Sequence, residues 1–487
     1  MRIYNLFPLL VGPFDQWGPH LERAASMGFD WVFVNPIQQP GRSGSLYSIA
    51  DYFAINKALL RTSSRLDADA QVQAMAGSAA QQDLSLMIDL VINHCAEDSA
   101  LAKAHPDWFV HEHGRVANPY CIEENGNKVV WRDLAQFDHH RALRRPDDAD
   151  GLLAYCVRMV EHLIGLGFRG FRCDAAYQIP TEFWRRLIEP IRRKHPRTVF
   201  VAETLGCTPS QTRDTASAGF DAIFNSAKWW DFHGRWLLEQ YELTRQIAPS
   251  IGFPESHDTR RMFEEFEGNV DALRQRYLFT ALFASGVMMP IGFEYGFRRR
   301  LDVVSTTPKD WEQPNVDLTG FITQVNGIKK QTPLFAEEGR VEKLDYSDPS
   351  LLVLRKQAVK GPGQALLVLN KDPWTRQRFY VDDLRHLIQS PAPLRDLSPD
   401  WSMDHLPTPF EFWLGPGMAR VLVSSDASPD SCAGFTSGQN SVRRPHDAPS
   451  YCGETTDAPW YCSAAPAAST LLVAVSAGAS LQRMRWP

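Results

Sequence analysis

Short apolar runs alternate with helical segments along the first two thirds of the chain, and this alternation most constrains the fold. Near the N-terminus, residues 3–9 and 31–34 are apolar runs, and residues 17–27 between them have helical periodicity and end at Gly28. A strand, a helix and a strand in so short a stretch predict a βαβ unit, and hence a parallel sheet covered on both faces. Six more strand-like runs follow, at residues 84–90, 170–174, 199–202, 220–224, 251–253 and 286–291. Eight such strands with helices between them predict an α/β fold, one (β/α)8 TIM barrel.

Two stretches depart from this rhythm and predict domain boundaries. Residues 95–140 are rich in His, Asn, Asp and Gly, and they predict a short irregular insertion after strand 3 of a barrel made of residues 1–94 and 141–330. Residues 331–425 contain short strands separated by Gly, Pro, Asp and Asn, which predict a C-terminal antiparallel β-sandwich domain. Residues 426–487 are rich in Ser, Ala and Pro, so we expect a poorly ordered tail without an assigned function.

Composition excludes several classes of function. The chain has 487 residues, 44% of them hydrophobic and 22% charged, which is typical of a globular protein with a large core. A net charge of −6 without a long basic run argues against a nucleic-acid partner, and the lack of a long apolar segment argues against a membrane partner. Eight cysteines without a Cys-x-x-Cys pair predict free thiols in a reducing compartment. With residues 1–12 interpreted as the first strand rather than a secretion signal, we expect a cytoplasmic protein.

Acidic residues follow three of the predicted strands. Asp174 ends the fourth run, Glu203 follows the fifth, and Asp258 lies shortly after the seventh. The carboxyl ends of parallel barrel strands meet at one face, so these acids are expected to converge there. Arg172 lies two residues before Asp174 on the same face of its strand, and it should keep that aspartate ionised and able to attack an electrophilic carbon.

Two convergent carboxyl groups are suited to cleaving a glycosidic bond. One gives a proton to the leaving oxygen while the other attacks the anomeric carbon, and a separation of about 5 to 5.5 Å allows this attack with retention of configuration. A purely structural role for three acids at three strand ends is disfavoured, because burying charged groups costs free energy.

Four short motifs carry these acids and their neighbours. They are Asp89-Leu-Val-Ile-Asn-His94, Gly170-Phe-Arg-Cys-Asp174, Val201-Ala-Glu203 and Glu255-Ser-His-Asp258. In this order and spacing, the chain resembles the α-amylase superfamily, glycoside hydrolase family 13, over about residues 1–425. The resemblance implies a retaining enzyme of carbohydrate metabolism that cleaves α-glucosidic bonds through a covalent β-glycosyl-enzyme. It also implies an α-glucan or maltooligosaccharide substrate.

The resemblance implies a role for each acid. Asp174 would be the nucleophile, and Glu203 would be the general acid and then the base, with a pKa raised by the nearby charge of Asp174. Asp258 would hold sugar hydroxyls and stabilise the oxocarbenium-like transition state. The positions that match the family's substrate-binding residues are Tyr47, Asp89, His94, Arg172 and His257.

The chain departs from the family where many relatives hold calcium. Asn93 and Asp133 match two of the family's calcium ligands, but Gln178 offers only a neutral amide, which is a weaker ligand. The segment 174–180 also lacks the Lys-His pair of many amylases, which disfavours their starch specificity. We therefore expect no metal and no other cofactor.

Three alternatives stand beside hydrolysis. Residues 180–188 are similar to a helix of the family's maltosyltransferase branch, so transfer of the same covalent intermediate to a sugar hydroxyl is the first alternative. A non-catalytic barrel that binds other molecules is the second, and the retained acids disfavour it. A metal-dependent barrel hydrolase is the third, and it is disfavoured because the histidines lack the spacing of metal ligands.

Overall fold

A computed structural model of the chain describes residues 1–122, 128–390 and 392–424. At its centre, eight parallel strands form a closed barrel in which each strand pairs with the next and the last pairs with the first. They are β1 (Arg2–Leu6), β2 (Trp31–Val34), β3 (Ser85–Leu90), β4 (Gly170–Cys173), β5 (Val199–Ala202), β6 (Ala222–Phe224), β7 (Ser250–Gly252) and β8 (Gly286–Pro290). The prediction of a (β/α)8 barrel is confirmed.

A helix follows every barrel strand. The helices are α1 (Gly18–Ser26), α2 (Ala68–Gln81), α3 (Leu152–Gly165), α4 (Thr181–Lys194), α5 (Pro209–Ala216), α6 (Trp236–Thr244), α7 (Val270–Phe283) and α8 (Thr319–Gln331). Side-chain caps fix where some of them begin. Asp67 accepts a 2.8 Å hydrogen bond from Ala70 N before α2, and Asn269 accepts a 3.0 Å bond from Ala272 N before α7.

Each barrel strand is buried on both faces, as a parallel sheet between two apolar layers requires. The cluster inside the barrel contains Ile3, Phe33, Met87, Val201 and Ile251. Gly170 at the start of β4 makes room for this cluster, because a Cβ atom there would lie 2.7 Å from the ring of Trp31 and 3.0 Å from Met87. The side chains that alternate with the interior residues pack outward against the helices.

Two loops at the carboxyl ends of the strands carry structure of their own. The loop after β2 contains the paired strands Gln38–Pro40 and Ile49–Ile55, with Tyr47 between them. The loop after β3 forms the expected irregular insertion. It contains three small antiparallel pairs: His94–Ala96 with Leu134–Gln136, His111–Glu112 with Arg115–Val116, and Tyr120–Ile122 with Lys128–Val130.

The C-terminal domain is built from antiparallel strands in two sheets. The strands are β9 (Val341–Leu344), β10 (Leu351–Gln357), β11 (Gln364–Asn370), β12 (Gln377–Val381), β13 (Leu394–Asp396), β14 (Phe410–Leu414) and β15 (Ala419–Ser424). One sheet has the order β9-β10-β11-β15-β13, and β12 pairs with β14 in the other. An apolar cluster that includes Val353, Val368, Phe379 and Phe410 joins the two sheets. The prediction of a C-terminal β domain is confirmed.

Several predicted bounds differ from the structure. The first strand ends at Leu6 rather than at residue 9, because Pro8 begins a short helix, Pro8–Val11. Further short helices are Leu101–Ala104, His139–Ala142 and Met262–Glu265. The domain boundaries as a set stay a prediction, and residues 426–487 lie outside the described part of the chain.

No helix in the described ranges combines the length and apolar character needed to cross a membrane. Four cysteines in these ranges, Cys95, Cys156, Cys173 and Cys207, are buried free thiols.

Candidate active site

The guanidinium group of Arg172 joins the ends of three neighbouring strands. Its Nη1 lies 2.6 Å from Asp89 Oδ1 and 3.3 Å from Asp174 Oδ1, and its Nη2 lies 3.0 Å from Glu203 Oε1. Each of these four side chains is at most 4% exposed. One cation therefore faces three buried carboxylates at the carboxyl end of the barrel.

Strand register explains why these groups meet. Arg172 in β4 is the direct register partner of Asp89 in β3. Just past the strand ends, the backbone ladder continues for one more residue, with Asp174 N donating to Leu90 O at 3.2 Å and Glu203 N donating to Cys173 O at 3.1 Å. The two expected catalytic acids are thus held by backbone bonds at the rim of the barrel.

The surroundings of Asp174 raise its pKa well above its usual value. Burial is the largest cause, the carboxylates of Glu203 and Asp89 add to it, and Arg172 opposes it. Arg172 does not offset the rise, because its guanidinium is shared among three acids. The expectation that Arg172 keeps Asp174 ionised stays a prediction. The acids titrate as a coupled group, and a proton held by any of them relieves the others.

Glu203 has a pKa raised to about 7. The direction agrees with the expectation, but burial is the main cause rather than Asp174; Asp258 and Asp89 also raise the pKa, and Arg172 opposes them. Its second oxygen, Oε2, accepts a 2.7 Å hydrogen bond from the backbone N–H of Ala175. A carboxyl group with this pKa can both give and take a proton near neutral pH.

The hydroxyl group of Tyr47 forms the centre of a second network. It donates to Asp89 Oδ2 at 2.6 Å, accepts from Asn35 Nδ2 at 2.9 Å, and lies 2.7 Å from His257 Nε2. The rings of Tyr47 and His257 are stacked, with centroids 5.8 Å apart and planes 8° apart. Because the only proton of the hydroxyl goes to Asp89, we assign a hydrogen to Nε2 of His257.

His257 also links this network to Asp258. Its Nε2 lies 3.0 Å from Asp258 Oδ2. Burial acts to raise the pKa of Asp258, but the charge and hydrogen bond of His257 outweigh it, so the pKa lies below its usual value. Asp258 therefore stays ionised where Asp174 and Glu203 hold protons more tightly.

Several buried polar atoms around the acids have no hydrogen-bond partner within the described ranges. They are Asp174 Oδ2, Glu203 Oε1, His257 Nδ1 and both ring nitrogens of His94; Glu203 Oε1 has only its ion-pair contact with Arg172. Burial lowers the pKa of His94 to about 4, so its ring is neutral at pH 7 and can both donate and accept. Unpaired buried polar atoms cost free energy, and their grouping here indicates a place for a polar ligand.

Some residues of the site were missed by the sequence analysis. Asn35 directly follows β2. It positions Tyr47 and is itself held by Asn5, whose Nδ2 donates to Asn35 Oδ1 at 3.0 Å. Arg300, in the loop after β8, donates from Nη2 to the backbone carbonyl of Asp258 at 2.8 Å. A polar residue directly after an apolar barrel strand was the available signal for Asn35, whereas nothing local marked Arg300.

Glu255 belongs to the same motif as Asp258 but serves a different purpose. Its Oε1 lies 2.8 Å from Arg261 Nη1, and its Oε2 accepts a 2.5 Å bond from Met262 N. This buried pair holds the loop after β7 in place and does not join the acid cluster.

Two positions that match the family's calcium site are bonded to each other. Asn93 Nδ2 donates to Gln178 Oε1 at 2.8 Å, and the neutral amide of Gln178 is a weaker calcium ligand than a carboxylate. The expectation of no metal stays a prediction. Within the described ranges, no group of three or more His, Cys, Asp or Glu side chains is arranged to hold a metal ion.

Comparison with known proteins gives an independent line of evidence. The sequence profile of "Glycogen debranching enzyme, glucanotransferase domain" matches residues 1–113. An "Alpha-1,4-glucan:maltose-1-phosphate maltosyltransferase" of Burkholderia pseudomallei (strain K96243) is 25% identical over 384 residues, covering 75% of this chain and 32% of that protein. "Alpha-amylase MalA" of Haloarcula japonica is 23% identical over 383 residues, covering 74% of this chain and 52% of that protein. The chain therefore spans about a third to a half of the length of these relatives.

Solved structures share the fold at lower identity. An alpha-amylase from Lactobacillus plantarum superposes with a TM-score of 0.68 at 20% identity, covering 87% of this chain and 98% of that one. An alpha-amylase from Geobacillus thermoleovorans complexed with acarbose also gives 0.68, at 16% identity, covering 88% and 98%. These likenesses establish the barrel and its β domain.

Proposed function

Since the chain belongs to the α-amylase superfamily, with likeness to its maltosyltransferase branch, we propose that it is a retaining enzyme acting on α-glucosidic bonds. Its substrate would be an α-glucan or maltooligosaccharide. The observation that carries the proposal is the single guanidinium of Arg172 in contact with both Asp174 and Glu203. Through it, a nucleophile and an acid lie side by side at the carboxyl end of the barrel, as a double displacement requires.

The reactive state has Asp174 ionised and the proton of the coupled acids on Glu203. In the first step, Asp174 attacks the anomeric carbon while Glu203 gives this proton to the leaving glycosidic oxygen. The carbon–oxygen bond breaks, and a β-glycosyl ester forms on Asp174. In the second step, Glu203 takes a proton from water or from a sugar hydroxyl, whose oxygen attacks the same carbon and releases an α-product. The free Oδ2 of Asp174 and the pKa of about 7 of Glu203 support these roles.

The remaining polar groups would hold the sugar. His94 and His257 have unpaired ring nitrogens that suit sugar hydroxyls. Asp258 is ionised and suits the positive charge that develops on the ring in the transition state. Tyr47 is fixed by its hydroxyl network, which keeps its ring in one orientation as a flat surface for the sugar.

Proton NMR of the products from maltooligosaccharides tests the proposal. We expect the α-anomer to be released first, and Asp174→Asn to abolish release. Asp214→Asn is the matched control, because Asp214 is 63% exposed on α5 and its carboxylate contacts Arg213 and Ser210 of the same helix. A folded wild-type chain that turns over no α-glucoside would refute the proposal and favour a non-catalytic binding protein.

Transglycosylation is the second candidate, and the maltosyltransferase relatives favour it. It uses the same glycosyl-enzyme, resolved by a sugar hydroxyl instead of water. Incubation with a maltooligosaccharide acceptor, with and without maltose 1-phosphate as donor, separates the two reactions. Longer glucans with release of inorganic phosphate would indicate phosphate-dependent transfer. Shorter products alone would indicate hydrolysis.

A further inference from the structure

The residue after the proposed nucleophile has an unusual backbone. Ala175 adopts φ 44° and ψ 40°, in the left-handed region. A Cβ atom makes this region unfavourable, and where Asn or Asp occupies it, a side-chain hydrogen bond offsets the cost. Alanine has no such group, and Ala175 is only 2% exposed, so contact with water does not compensate either. A strained residue that persists at a site of chemistry is grounds for a functional hypothesis.

The strained conformation directs one hydrogen bond. The N–H of Ala175 points at Glu203 and donates to Oε2 at 2.7 Å, while the other carboxylate oxygen lies 3.0 Å from Arg172 Nη2. The Ala175 N–H is thus the hydrogen-bond donor to Glu203 within the described ranges, and Arg172 contributes the attraction of its charge at Oε1. Both neighbours favour the ionised carboxylate and lower the pKa of Glu203.

We propose that the backbone N–H of Ala175 is a positioning donor that stabilises the ionised form of Glu203 as it develops during the reaction. The inference rests on the proposed function, in which Glu203 loses its proton to the leaving oxygen. The electron pair of the broken O–H bond stays on the carboxylate, and the hydrogen bond from Ala175 becomes charge-assisted at that moment. The Ala175 N–H thus stabilises the negative charge that develops on the Glu203 carboxylate, just as the donors of an oxyanion hole stabilise the charge that develops on a substrate oxygen.

The charged surroundings of Glu203 define the expected pH effect. Arg172 and Asp174 face it from β4 and its end, Asp89 faces it from β3, and Asp258 faces it from the loop after β7. Tyr177 and Cys207 are the other titratable groups nearby. The Ala175 N–H lowers the pKa of Glu203 against the raising effect of burial. Without it, Glu203 would hold its proton to a higher pH.

An amide-to-ester exchange tests this without changing a side chain. L-lactic acid in place of Ala175 replaces the N–H by an oxygen and leaves the methyl group. The same exchange at Ala176 is the matched control, because that amide does not donate to Glu203. Two donors are compared in the full-length chain: a maltooligosaccharide, whose leaving group needs a proton, and α-maltosyl fluoride, whose leaving group needs little assistance.

For the Ala175 ester, we expect kcat/KM on the maltooligosaccharide to fall by roughly 10- to 100-fold, the range for a hydrogen bond to a charged group. The loss on α-maltosyl fluoride should be several times smaller, and the alkaline limb of the pH profile on the maltooligosaccharide should move to higher pH. Equal losses of kcat/KM on the two donors, or an alkaline limb at the same pH as in wild type, would overturn the inference and leave Ala175 with a structural role.

A second readout does not depend on turnover. The pKa of Glu203 is followed by carbon-13 NMR of its side-chain carboxyl, assigned by the signal that Glu203→Gln removes. The inference predicts a higher pKa in the Ala175 ester than in wild type and in the Ala176 ester, and an unchanged pKa would contradict it. A wild-type chain that is inactive on both donors would refute the proposed function, whereas an active wild type with an unaffected Ala175 ester would refute this inference alone.

Discussion

Two buried arginines in this chain have opposite surroundings. In the C-terminal domain, Arg420 pairs with Asp396 at 2.8 Å, and its guanidinium lies over the rings of Trp401 and Phe412. Each oxygen of Asp396 accepts at least two hydrogen bonds. At the mouth of the barrel, Arg172 faces three carboxylates, and two of their oxygens, Asp174 Oδ2 and Glu203 Oε1, accept no hydrogen bond from the described part of the chain.

This difference indicates that the Arg420–Asp396 pair stabilises the fold, whereas the carboxylates around Arg172 serve catalysis. A buried ion pair with matched charges and satisfied oxygens is strongly destabilised when one partner is removed. In a cluster with more carboxylates than cations, the carboxylates repel one another. Removing one of them should therefore stabilise the folded state. Proteins often accept such a cost where activity needs it. The variants below test whether the two sites differ in this way.

Glu203→Gln should give the largest effect. Loss of the proton donor is expected to lower kcat on maltooligosaccharides by about 10²- to 10⁴-fold. The free energy of unfolding should stay the same or rise, because one of the three buried carboxyl groups that share Arg172 can no longer ionise. Steady-state kinetics and thermal denaturation check both results. A large fall in Tm would show that the acid cluster is a structural ion-pair network.

Asp396→Asn should give the reverse pattern. Arg420 would be left buried without a counter-charge, and we expect the free energy of unfolding to fall by about 3–5 kcal/mol. The kcat of the folded fraction should not change. Urea unfolding checks the first result and active-site-normalised kinetics the second, with the exposed Asp382→Asn as the control in the same domain. If Asp396→Asn were as stable as wild type, the proposed difference between the Arg420 and Arg172 sites would be contradicted.

The pH dependence of stability should follow Glu203. Its pKa is about 7 in the folded chain against an ordinary 4.5, so between these values the folded state binds its proton more tightly than the unfolded state. The free energy of unfolding must therefore fall as pH rises through this window. Urea titrations at several pH values should show this slope in wild type and a smaller one in Glu203→Gln. An equal slope in the two proteins would contradict the assignment.

Tyr47→Phe should have the smallest effect of the four. It keeps the ring and removes the hydroxyl that joins Asn35, Asp89 and His257. Leaving buried partners unsatisfied is expected to cost about 1–3 kcal/mol of stability. The KM for maltooligosaccharides should change less than kcat, since the sugar surface remains while the hold on Asp89 and His257 is lost. A change in KM alone would indicate that Tyr47 contributes only its ring.

The sequence predicted those features that depend on local pattern and on barrel topology. Alternating apolar runs indicated eight strands, and acids at strand ends had to meet at one face because parallel strands share a direction. It did not predict that burial rather than Asp174 raises the pKa of Glu203, because the depth of a cavity is a property of packed layers. The left-handed turn at Ala175 was also unpredictable, since alanine gives no local signal for it.

The sequence also did not predict contacts between residues that are far apart in the chain. Asn35 and Tyr47 are neighbours in the chain, but their link to His257 crosses from the loop after β2 to the loop after β7. Only closure of the barrel brings those loops together. For the same reason, no sequence pattern marked Arg300 as a neighbour of Asp258.

Trapping of the covalent intermediate tests the central claim most directly. In Glu203→Gln, α-maltosyl fluoride can still transfer its sugar to Asp174, because fluoride leaves without a proton donor, whereas the missing base slows the second step. Mass spectrometry of a protease digest should then show a maltosyl adduct on the peptide that contains Asp174. Release of fluoride without an adduct, or an adduct on another residue, would contradict the account.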